Sequence, residues 1–335
     1  GRAHKQEKWM TERIQQQATV PQELDNDRLD QVAAKLFPDY SRSRLQGWIK
    51  KGDLLVDGQQ LRPRDKVREG VELSIDTEPE QAVGWQPQDI DLDIIYEDEH
   101  ILVLNKPAGL VVHPAAGHAD GTLVNALLAH APEMAQLPRG GIVHRLDMET
   151  SGIMVAAKSL LAHQDLVAQL QERTVKREYV AVCIGVMTGG GTVDEPIGRH
   201  PKQRKKMAVL VVGGKPAITH YRVIQRYGHH TQIAVNLETG RTHQIRVHMA
   251  HKHYPLVGDP TYGGRPRIPK GASDELIAAL RGFPRQALHA RALGLFHPET
   301  GEEVHFDCPL PEDIKGLLNV LESEDPVINN DATLY

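Results

Sequence analysis

Long hydrophobic runs are missing from this chain of 335 residues. A transmembrane helix needs about 20 consecutive, mostly apolar residues, and no stretch of the sequence approaches that length. The first residues, Gly-Arg-Ala-His-Lys, also lack the apolar segment of a secretory signal peptide. We therefore expect a cytoplasmic protein that does not insert into a membrane.

Cysteine is scarce, since the chain has only Cys183 and Cys308. Both lie in apolar segments that are typical of strands, which indicates two buried thiols. Reduced thiols fit the cytoplasm, and two distant cysteines do not have the paired spacing of a structural zinc site. We therefore expect neither a disulfide nor a structural zinc ion.

An overall excess of positive charge is also lacking, because the formal net charge is −5. The charges are nevertheless segregated along the chain. Residues 42–68 contain eight basic and three acidic side chains, residues 76–99 contain nine acidic side chains and no lysine or arginine, and residues 199–206 are basic without an acid. Segregated basic segments are typical of phosphate-binding surfaces. A merely solvated face is the alternative explanation.

Composition and hydrophobic periodicity divide the chain into five stretches. At this length the chain can form two domains, each with its own core. We expect a loosely ordered leader at residues 1–25, a compact module at 26–76, a flexible acidic linker at 77–90, a large body at 91–320 and a disordered acidic tail at 321–335. The linker would leave the small module free to reorient.

The module at residues 26–76 combines two amphipathic helices with short strands. Pro38 ends the first helix, Ser41 can cap a second helix over residues 42–51, and a turn at Asp57-Gly58 separates the strands. A generic small domain would fit this pattern, but the order of elements resembles the alpha-L RNA-binding motif. The resemblance implies that basic residues on or beside the second helix bind RNA phosphates, namely Arg42, Arg44, Lys50 and Lys51.

The body at residues 91–320 alternates strand pairs with helices. Short hairpin-like links between the paired strands indicate a mostly antiparallel sheet, so we predict an α+β fold. The predicted helices cover residues 123–130, 160–171, 242–251, 274–280 and 312–321.

One charged segment of the body stands between two buried apolar runs. Residues 144–152 are His-Arg-Leu-Asp-Met-Glu-Thr-Ser-Gly, and they place Asp147 two residues after Arg145. An unpaired buried carboxylate is unfavourable, so Asp147 needs either a structural partner or a function. If this segment stood alone, a turn-capping aspartate paired with Arg145 would explain it.

Two further segments change that interpretation. Residues 176–181 are Lys-Arg-Glu-Tyr-Val-Ala, and residues 239–249 are Thr-Gly-Arg-Thr-His-Gln-Ile-Arg-Val-His-Met. Together with residues 144–152 they resemble the RNA pseudouridine synthases of the large-subunit ribosomal type, over most of the chain. The resemblance implies a pseudouridine synthase catalytic domain that isomerises uridines of large-subunit ribosomal RNA, naked or in an assembling particle, without a cofactor.

The same resemblance assigns roles to four residues. Asp147 matches the catalytic carboxylate, and Arg246 matches its partner arginine, whose charge favours the ionised carboxylate. Tyr179 matches the active-site tyrosine, which can stack on uracil and relay the C5 proton. Arg145 matches the arginine that fills the space left by the flipped base. The choice between attack by Asp147 on C1′, attack on C6 and stabilisation of an elimination intermediate stays open.

Further expectations concern the surroundings of this site. Thr242 can cap a helix that carries Arg246. Residues 201–206 are expected to form a mobile loop that clamps substrate phosphates through Arg204, Lys205 and Lys206. We expect a monomer, because the sequence has no oligomerisation signal.

Three other functions compete with this interpretation. Histidines at positions 243, 248, 251 and 253 suggest a metal enzyme, but their spacing fits no zinc signature. A nucleoside hydrolase would also attack an anomeric carbon, but that chemistry usually needs two carboxylates, and the sequence indicates one carboxylate facing one arginine. A non-catalytic ribosome-assembly factor would use both modules only to bind RNA.

Overall fold

The structure is a computed structural model that describes residues 14–78, 85–115 and 117–328. Its apolar side chains gather mainly in two separate cores. The smaller core lies within the N-terminal domain, around Leu29, Leu45 and Ile75. The larger core belongs to the body and includes Leu104, Met154 and the active-site candidate Tyr179. The two-domain organisation follows from this separation of the cores.

The N-terminal domain packs two helices against short strands. Ser41 Oγ accepts a hydrogen bond from Arg44 N at 3.1 Å and so caps the second helix, as predicted. That helix ends at Gly52, which adopts the left-handed conformation that favours glycine. The elements are β1 (Ile14–Thr19), a 3-10 turn (Gln22–Leu24), β2 (Asp27–Arg28), α1 (Leu29–Leu36), α2 (Arg42–Lys51), β3 (Leu54–Val56), β4 (Lys66–Val67) and β5 (Glu72–Thr77).

The body consists of one large sheet with helices packed against it. Its helices are α3 (Leu123–His130), α4 (Leu160–Gln171), α5 (Gln244–His251), α6 (Asp274–Gly282) and α7 (Glu312–Glu324), with 3-10 turns at Pro132–Gln136 and Arg139–Gly141. Its strands are β6 (Asp93–Glu97), β7 (Ile101–Lys106), β8 (Ser151–Ala157), β9 (Lys176–Ile184), β10 (Gly191–Asp194), β11 (Ile197–Arg199), β12 (Met207–Val209), β13 (Ile218–Arg226), β14 (His230–Leu237), β15 (Leu288–Phe296) and β16 (Glu303–Asp307).

Within the described ranges, the large sheet has nine strands in the order β10-β13-β14-β9-β15-β8-β7-β6, with β16 beside β15. Neighbouring strands run antiparallel except that β15 and β8 pair in parallel. Strands β11 and β12 form a separate hairpin. The mostly antiparallel α+β fold predicted from the sequence is therefore confirmed.

Gly152 permits the close approach of β8 and β15 at the centre of the sheet. A Cβ atom at this position would lie 2.2 Å from the carbonyl oxygen of Ala290, and the φ angle of Gly152 is +127°. Both features exclude a larger residue. Across the sheet Gly152 pairs with Ala290, and Ala290 pairs with Tyr179. The register therefore brings the segment that precedes β8, which contains Asp147, next to Tyr179.

Both ends of the described chain are more ordered than the sequence indicated. Residues 14–19 of the predicted leader form β1, which pairs with β5 and packs Ile14 and Ala18 on the small core. At the other end α7 continues to Glu324, and the carboxylate of Asp325 accepts hydrogen bonds from His229 and His230. The predicted loose order of the leader is therefore wrong for residues 14–19, and the predicted disorder of the tail is wrong for residues 321–325. Residues 1–13 and 329–335 lie outside the described residues.

The two domains contact each other through the segment that follows α1 and, in the body, through β11 and the segment that follows β12. Arg199 Nε donates to the carbonyl of Pro38 at 3.2 Å, and Lys215 forms an ion pair with Asp39. Residues 79–84 of the predicted linker lie outside the described residues. Gln88 N donates to the carbonyl of Asn125 in the body at 2.9 Å. In this structure the small domain is thus docked, in contrast to the expected free module.

Candidate active site

A cleft of about 960 Å³ lies between the two domains. The N-terminal domain contributes Pro38 to Ser41 and Arg44 to its wall. The body contributes all four residues to which the resemblance assigned roles, namely Arg145, Asp147, Tyr179 and Arg246. The fold therefore brings together side chains that are separated by up to about a hundred positions in the sequence.

Hydrogen bonds to the main chain fix the turn that carries Asp147. Lys106 Nζ donates to the carbonyls of Pro107, Leu110 and Met148 at 2.8 to 2.9 Å. Gly109 N also donates to the carbonyl of Met148, at 2.8 Å. Burial lowers the pKa of Lys106 to about 8, although the neighbouring carboxylates oppose this shift. A buried ammonium group thus holds the residue next to Asp147.

Arg246 connects Asp147 to a second carboxylate. Its Nη1 donates to Asp147 Oδ2 at 3.2 Å, whereas its Nε and Nη2 donate to Asp259 at 2.8 and 3.0 Å. Burial alone lowers the pKa of the Arg246 guanidinium, but Asp259 and Asp147 outweigh burial and raise it. The Asp147 side chain remains 23% exposed and that of Arg246 only 6%. A substrate in the cleft can therefore reach the carboxylate that Arg246 holds.

Asp259 is a site residue that the sequence analysis missed. It lies in a Gly-Asp-Pro-Thr-Tyr-Gly segment and also accepts hydrogen bonds from the main-chain nitrogens of Thr261 and Tyr262. Burial alone raises the pKa of its carboxyl, but the bonds from Arg246 outweigh burial and lower it. The expected arrangement of one carboxylate facing one arginine was therefore wrong, because Arg246 binds two.

The start of α5 differs from the prediction. The helix begins at Gln244, and His243 occupies the capping position in a left-handed conformation with φ 57°. Thr242 does not cap the helix; its Oγ1 accepts a hydrogen bond from Arg145 Nη2. This contact joins the exposed Arg145 to the segment that leads to Arg246. Arg145 therefore lines the cleft and contacts Thr242 instead of pairing with Asp147.

Tyr179 is a buried member of β9 whose side chain lines the cleft. Burial raises the pKa of its hydroxyl, and the nearby charge of Asp147 acts in the same direction. The charge of Arg177 opposes this shift without cancelling it, so the hydroxyl is protonated at neutral pH. Because the ring is fixed in the sheet, any base that stacks on it adopts a defined position.

The predicted RNA-binding residues differ in their surroundings. Arg44 lines the cleft, and its Cζ lies 5.0 Å from the centroid of the Trp48 ring. Arg42 instead donates to the buried carboxylate of Asp30. Lys50 and Lys51 are exposed at the end of α2. The turn between β11 and β12 contains Arg204, Lys205 and Lys206. At the end of β11, Arg199 donates to the carbonyl of Pro38 in the N-terminal domain. Both basic segments belong to the two domains that frame the cleft. Four of the seven side chains are exposed (Lys50, Lys51, Arg204 and Lys205), and three are half-buried (Arg42, Arg44 and Lys206).

Two of the four histidines that suggested a metal enzyme have hydrogen-bond partners that are not metal ligands. His248 contacts Thr219 Oγ1 and the carbonyl of Glu195 through its two ring nitrogens, and His243 Nδ1 contacts the hydroxyl of Tyr262. In the part of the chain that the structure describes, no three side chains of the metal-binding types converge. No helix of these ranges is long and apolar enough to cross a membrane.

Comparisons with known proteins identify the family. Residues 100–251 match the RNA pseudouridylate synthase family, and residues 27–73 match the S4 domain. The chain is 62% identical over 315 residues to ribosomal large subunit pseudouridine synthase D of Pseudomonas aeruginosa, covering 94% of this chain and 98% of that protein. The chain belongs to the RNA pseudouridylate synthase family.

Other relatives agree with this pseudouridine synthase assignment. Ribosomal large subunit pseudouridine synthase D of Escherichia coli is 54% identical over 316 residues, or 94% of this chain and 97% of that protein. The structure of human RNA pseudouridylate synthase domain containing 4 has a TM-score of 0.54 and 27% identity, and it covers 69% of this chain and 93% of that one. These matches confirm the predicted enzyme class, its catalytic fold and the N-terminal RNA-binding module.

Proposed function

We propose that this pseudouridine synthase isomerises uridines of large-subunit ribosomal RNA and that Asp147 is its catalytic carboxylate. The observation that carries the proposal is the contact at 3.2 Å between Asp147 and the buried Arg246, inside the cleft that Tyr179 also lines. Two relatives that are named for the ribosomal large subunit support the choice of substrate.

The reaction rearranges one nucleotide without adding or removing a group. The bond between C1′ and N1 breaks, the uracil turns, and C5 forms a new bond to C1′. C5 gives up its hydrogen as a proton, and N1 ends with a proton, so the product has the composition of the substrate. No electron acceptor is required. An ionised carboxylate next to C1′ and C6 serves both possible routes of attack as well as the elimination route.

The remaining site residues support this carboxylate. Arg246 orients Asp147 and favours its charged form, and Asp259 holds Arg246 from the opposite side. Tyr179 stacks on the uracil and relays the C5 proton, because its hydroxyl releases its own proton towards N1 as it accepts the proton from C5. Because a stacked base cannot reach the cleft, the uridine must leave the RNA helix. Arg145 then fills the vacated space with its planar guanidinium.

The basic segments of both domains bind the surrounding RNA. We assign this role to Arg42, Arg44, Lys50 and Lys51 of the N-terminal domain and to Arg204, Lys205 and Lys206 of the β11–β12 turn. Contacts with phosphates make affinity decrease with salt. The enzyme acts as a monomer in the cytoplasm, where it meets ribosomal RNA as a naked chain or within an assembling particle.

Tritium release from large-subunit RNA labelled at C5 of uridine tests this function directly, since the new bond expels the C5 hydrogen. Wild type should release tritium, and Asp147→Asn should not, although it should bind the RNA as tightly. Asp274→Asn is the matched control, because this exposed carboxylate at the start of α6 does not line the cleft. It should retain wild-type turnover.

The outcomes separate the competing functions. Turnover by Asp147→Asn at the wild-type rate would remove the site assignment. Release of free uracil would indicate a hydrolase instead of an isomerase. No tritium release by wild type, on naked RNA and on ribosomal particles alike, would favour an assembly factor that only binds RNA.

A further inference from the structure

Arg177 is a buried residue of β9 that the mechanism above does not use. It precedes Tyr179 by two positions, so both side chains extend from the same face of the strand. Both line the cleft that contains Asp147. Only 8% of Arg177 is exposed, so its charged group belongs to the interior of the cleft rather than to the outer surface.

The guanidinium of Arg177 lacks the partners that other buried arginines have. Its buried Nε has no hydrogen-bond acceptor among the described residues. In contrast, Arg246 binds two carboxylates, and Arg285 binds Asp313 and main-chain carbonyls. A buried charged group without a partner is unfavourable. The charge of Arg177 is therefore poorly compensated within the described residues, and its side chain lines the cleft in which a ligand can approach it.

Gly240 shows that the neighbouring segment is shaped around this guanidinium. A Cβ atom at Gly240 would lie 2.6 Å from Nη1 of Arg177. The backbone of Gly240 is not in the left-handed region, so the feature of this position that matters here is the space that a missing Cβ leaves for the guanidinium. Gly240 belongs to the segment that leads to Arg246. The guanidinium of Arg177 thus packs against one end of the stretch of chain that carries Arg246 at its other end.

Charge indicates which kind of ligand suits this position. Burial lowers the pKa of the Arg177 guanidinium, the direction expected where the charged form is poorly compensated. A negatively polarised oxygen beside the guanidinium would stabilise its charged form and raise its pKa again. A guanidinium presents its N–H donors in a planar fork that matches the oxygens of a phosphate. The cleft therefore offers a site for an oxygen acceptor beside Tyr179.

We propose that Arg177 binds an oxygen of the target nucleotide, either on its phosphate or on a carbonyl of the flipped uracil. This inference rests on the proposed function, which brings the flipped nucleotide into the same cleft. Compensation of charge favours the phosphate. Arg177 is in this view a substrate-binding residue that holds the nucleotide against Tyr179 and within reach of Asp147.

The test compares three variants under single-turnover conditions and in RNA-binding assays. Arg177→Gln removes the charge, Arg177→Lys keeps the charge but removes the fork, and Arg222→Gln is the control, because Arg222 pairs with Glu178 on the exposed face of the sheet. Loss of one charge-assisted hydrogen bond corresponds to about a 10- to 100-fold effect. Arg177→Gln should show this loss, Arg177→Lys a smaller one, and Arg222→Gln should remain near wild type.

Altered substrates distinguish a contact from a structural role. The substrates are synthetic RNA fragments that contain a uridine that wild type modifies. One fragment is unaltered, one has a methylphosphonate in place of the phosphate of that uridine, and two have a 2-thio or a 4-thio base. The change that removes the contacted oxygen should weaken RNA binding and turnover by wild type. It should cause no further loss in Arg177→Gln, which already lacks the contact. A phosphate contact predicts this pattern for the methylphosphonate, and a base contact predicts it for one of the thio bases.

Two results would overturn the inference. One is a folded Arg177→Gln that binds and modifies RNA like wild type. The other is a set of altered RNAs that weaken wild type and Arg177→Gln equally, which would mean that no contact was lost. Should Arg177→Gln fail to fold, the comparison of wild type with Arg177→Lys on the same RNAs decides between a substrate contact and a structural role.

Failure of the proposed function would be visible separately. If wild type modified no uridine, the variants would be compared for binding to unaltered large-subunit RNA. Arg177→Gln would then still have to bind more weakly than Arg222→Gln for the inference to stand, and equal binding would contradict it.

Discussion

Replacing Asp259 tests whether the active site depends on a carboxylate that does not itself line the cleft. Arg246 makes three hydrogen bonds to carboxylates, and the two shorter ones, at 2.8 and 3.0 Å, end on Asp259. Asp259→Asn keeps the shape of the side chain but removes its charge and turns one acceptor into a donor that faces the guanidinium. Arg246 should then lose its fixed orientation, and Asp147 should lose its position with it.

The expected magnitude follows from the burial of this pair. Removing one partner of a buried ion pair costs about 3–5 kcal/mol, and we take the lower end because the amide keeps one acceptor. For a domain of this size about 3 kcal/mol corresponds to a decrease in melting temperature of roughly 6–12 °C. Misplacement of a reacting group lowers kcat by up to about 100-fold. RNA affinity should change little, because Asp259 does not line the cleft.

The assay measures kcat and KM for tritium release together with the melting temperature. Asp325→Asn is the control, since this buried carboxylate binds His229 and His230 away from the cleft. It should also lower the melting temperature but leave kcat unchanged. A folded Asp259→Asn with wild-type kcat would refute the argument that Asp259 orients Arg246.

Two further predictions concern the segments on either side of Asp147. Lys106 donates to three carbonyls, and only its protonated form has three N–H donors. Since the pKa of Lys106 is lowered to about 8, kcat should fall as the pH rises through 8. Lys106→Met should be less active at all pH values and lack this decrease, and an unchanged profile in that variant would contradict the assignment. Gly152→Ala should yield little folded protein, because its Cβ would overlap the carbonyl of Ala290. Gly189→Ala, at a position with open space, should fold normally, and a Gly152→Ala variant as stable as this control would show that β8 and β15 can separate without loss.

Elements with local signals were predictable from the sequence. The helices α3 and α4 have the predicted limits, since each has its own N-cap, Thr122 and Ser159, and the apolar spacing of a helix. The strand β1 was missed because its three glutamines hide the alternation of Ile14 and Ala18. A strand of this kind is held by backbone hydrogen bonds to β5, about 60 positions away, and no local signal reports them.

The same distinction applies to the candidate site. The segments around Asp147, Tyr179 and Arg246 pointed to the enzyme family because each motif is continuous in the sequence. The partners of the site side chains come from other segments. Asp259, which binds Arg246, lies in the segment after α5, and Thr242 is the partner of Arg145. Nothing in the segment Gly-Asp-Pro-Thr-Tyr-Gly, which contains Asp259, indicates which guanidinium its carboxylate meets.

The sequence by itself determined the family and the mostly antiparallel fold, and it predicted Asp147, Tyr179 and Arg246 as site residues, because these depend on short continuous patterns. The tertiary structure alone decided that Arg246 is shared between two carboxylates and that the N-terminal domain is docked at the cleft. It also decided that Arg177 is buried against Gly240 without an acceptor on its Nε among the described residues. Each of these facts is a relation between distant segments. Such relations arise only when strand register and domain packing bring those segments within hydrogen-bonding distance.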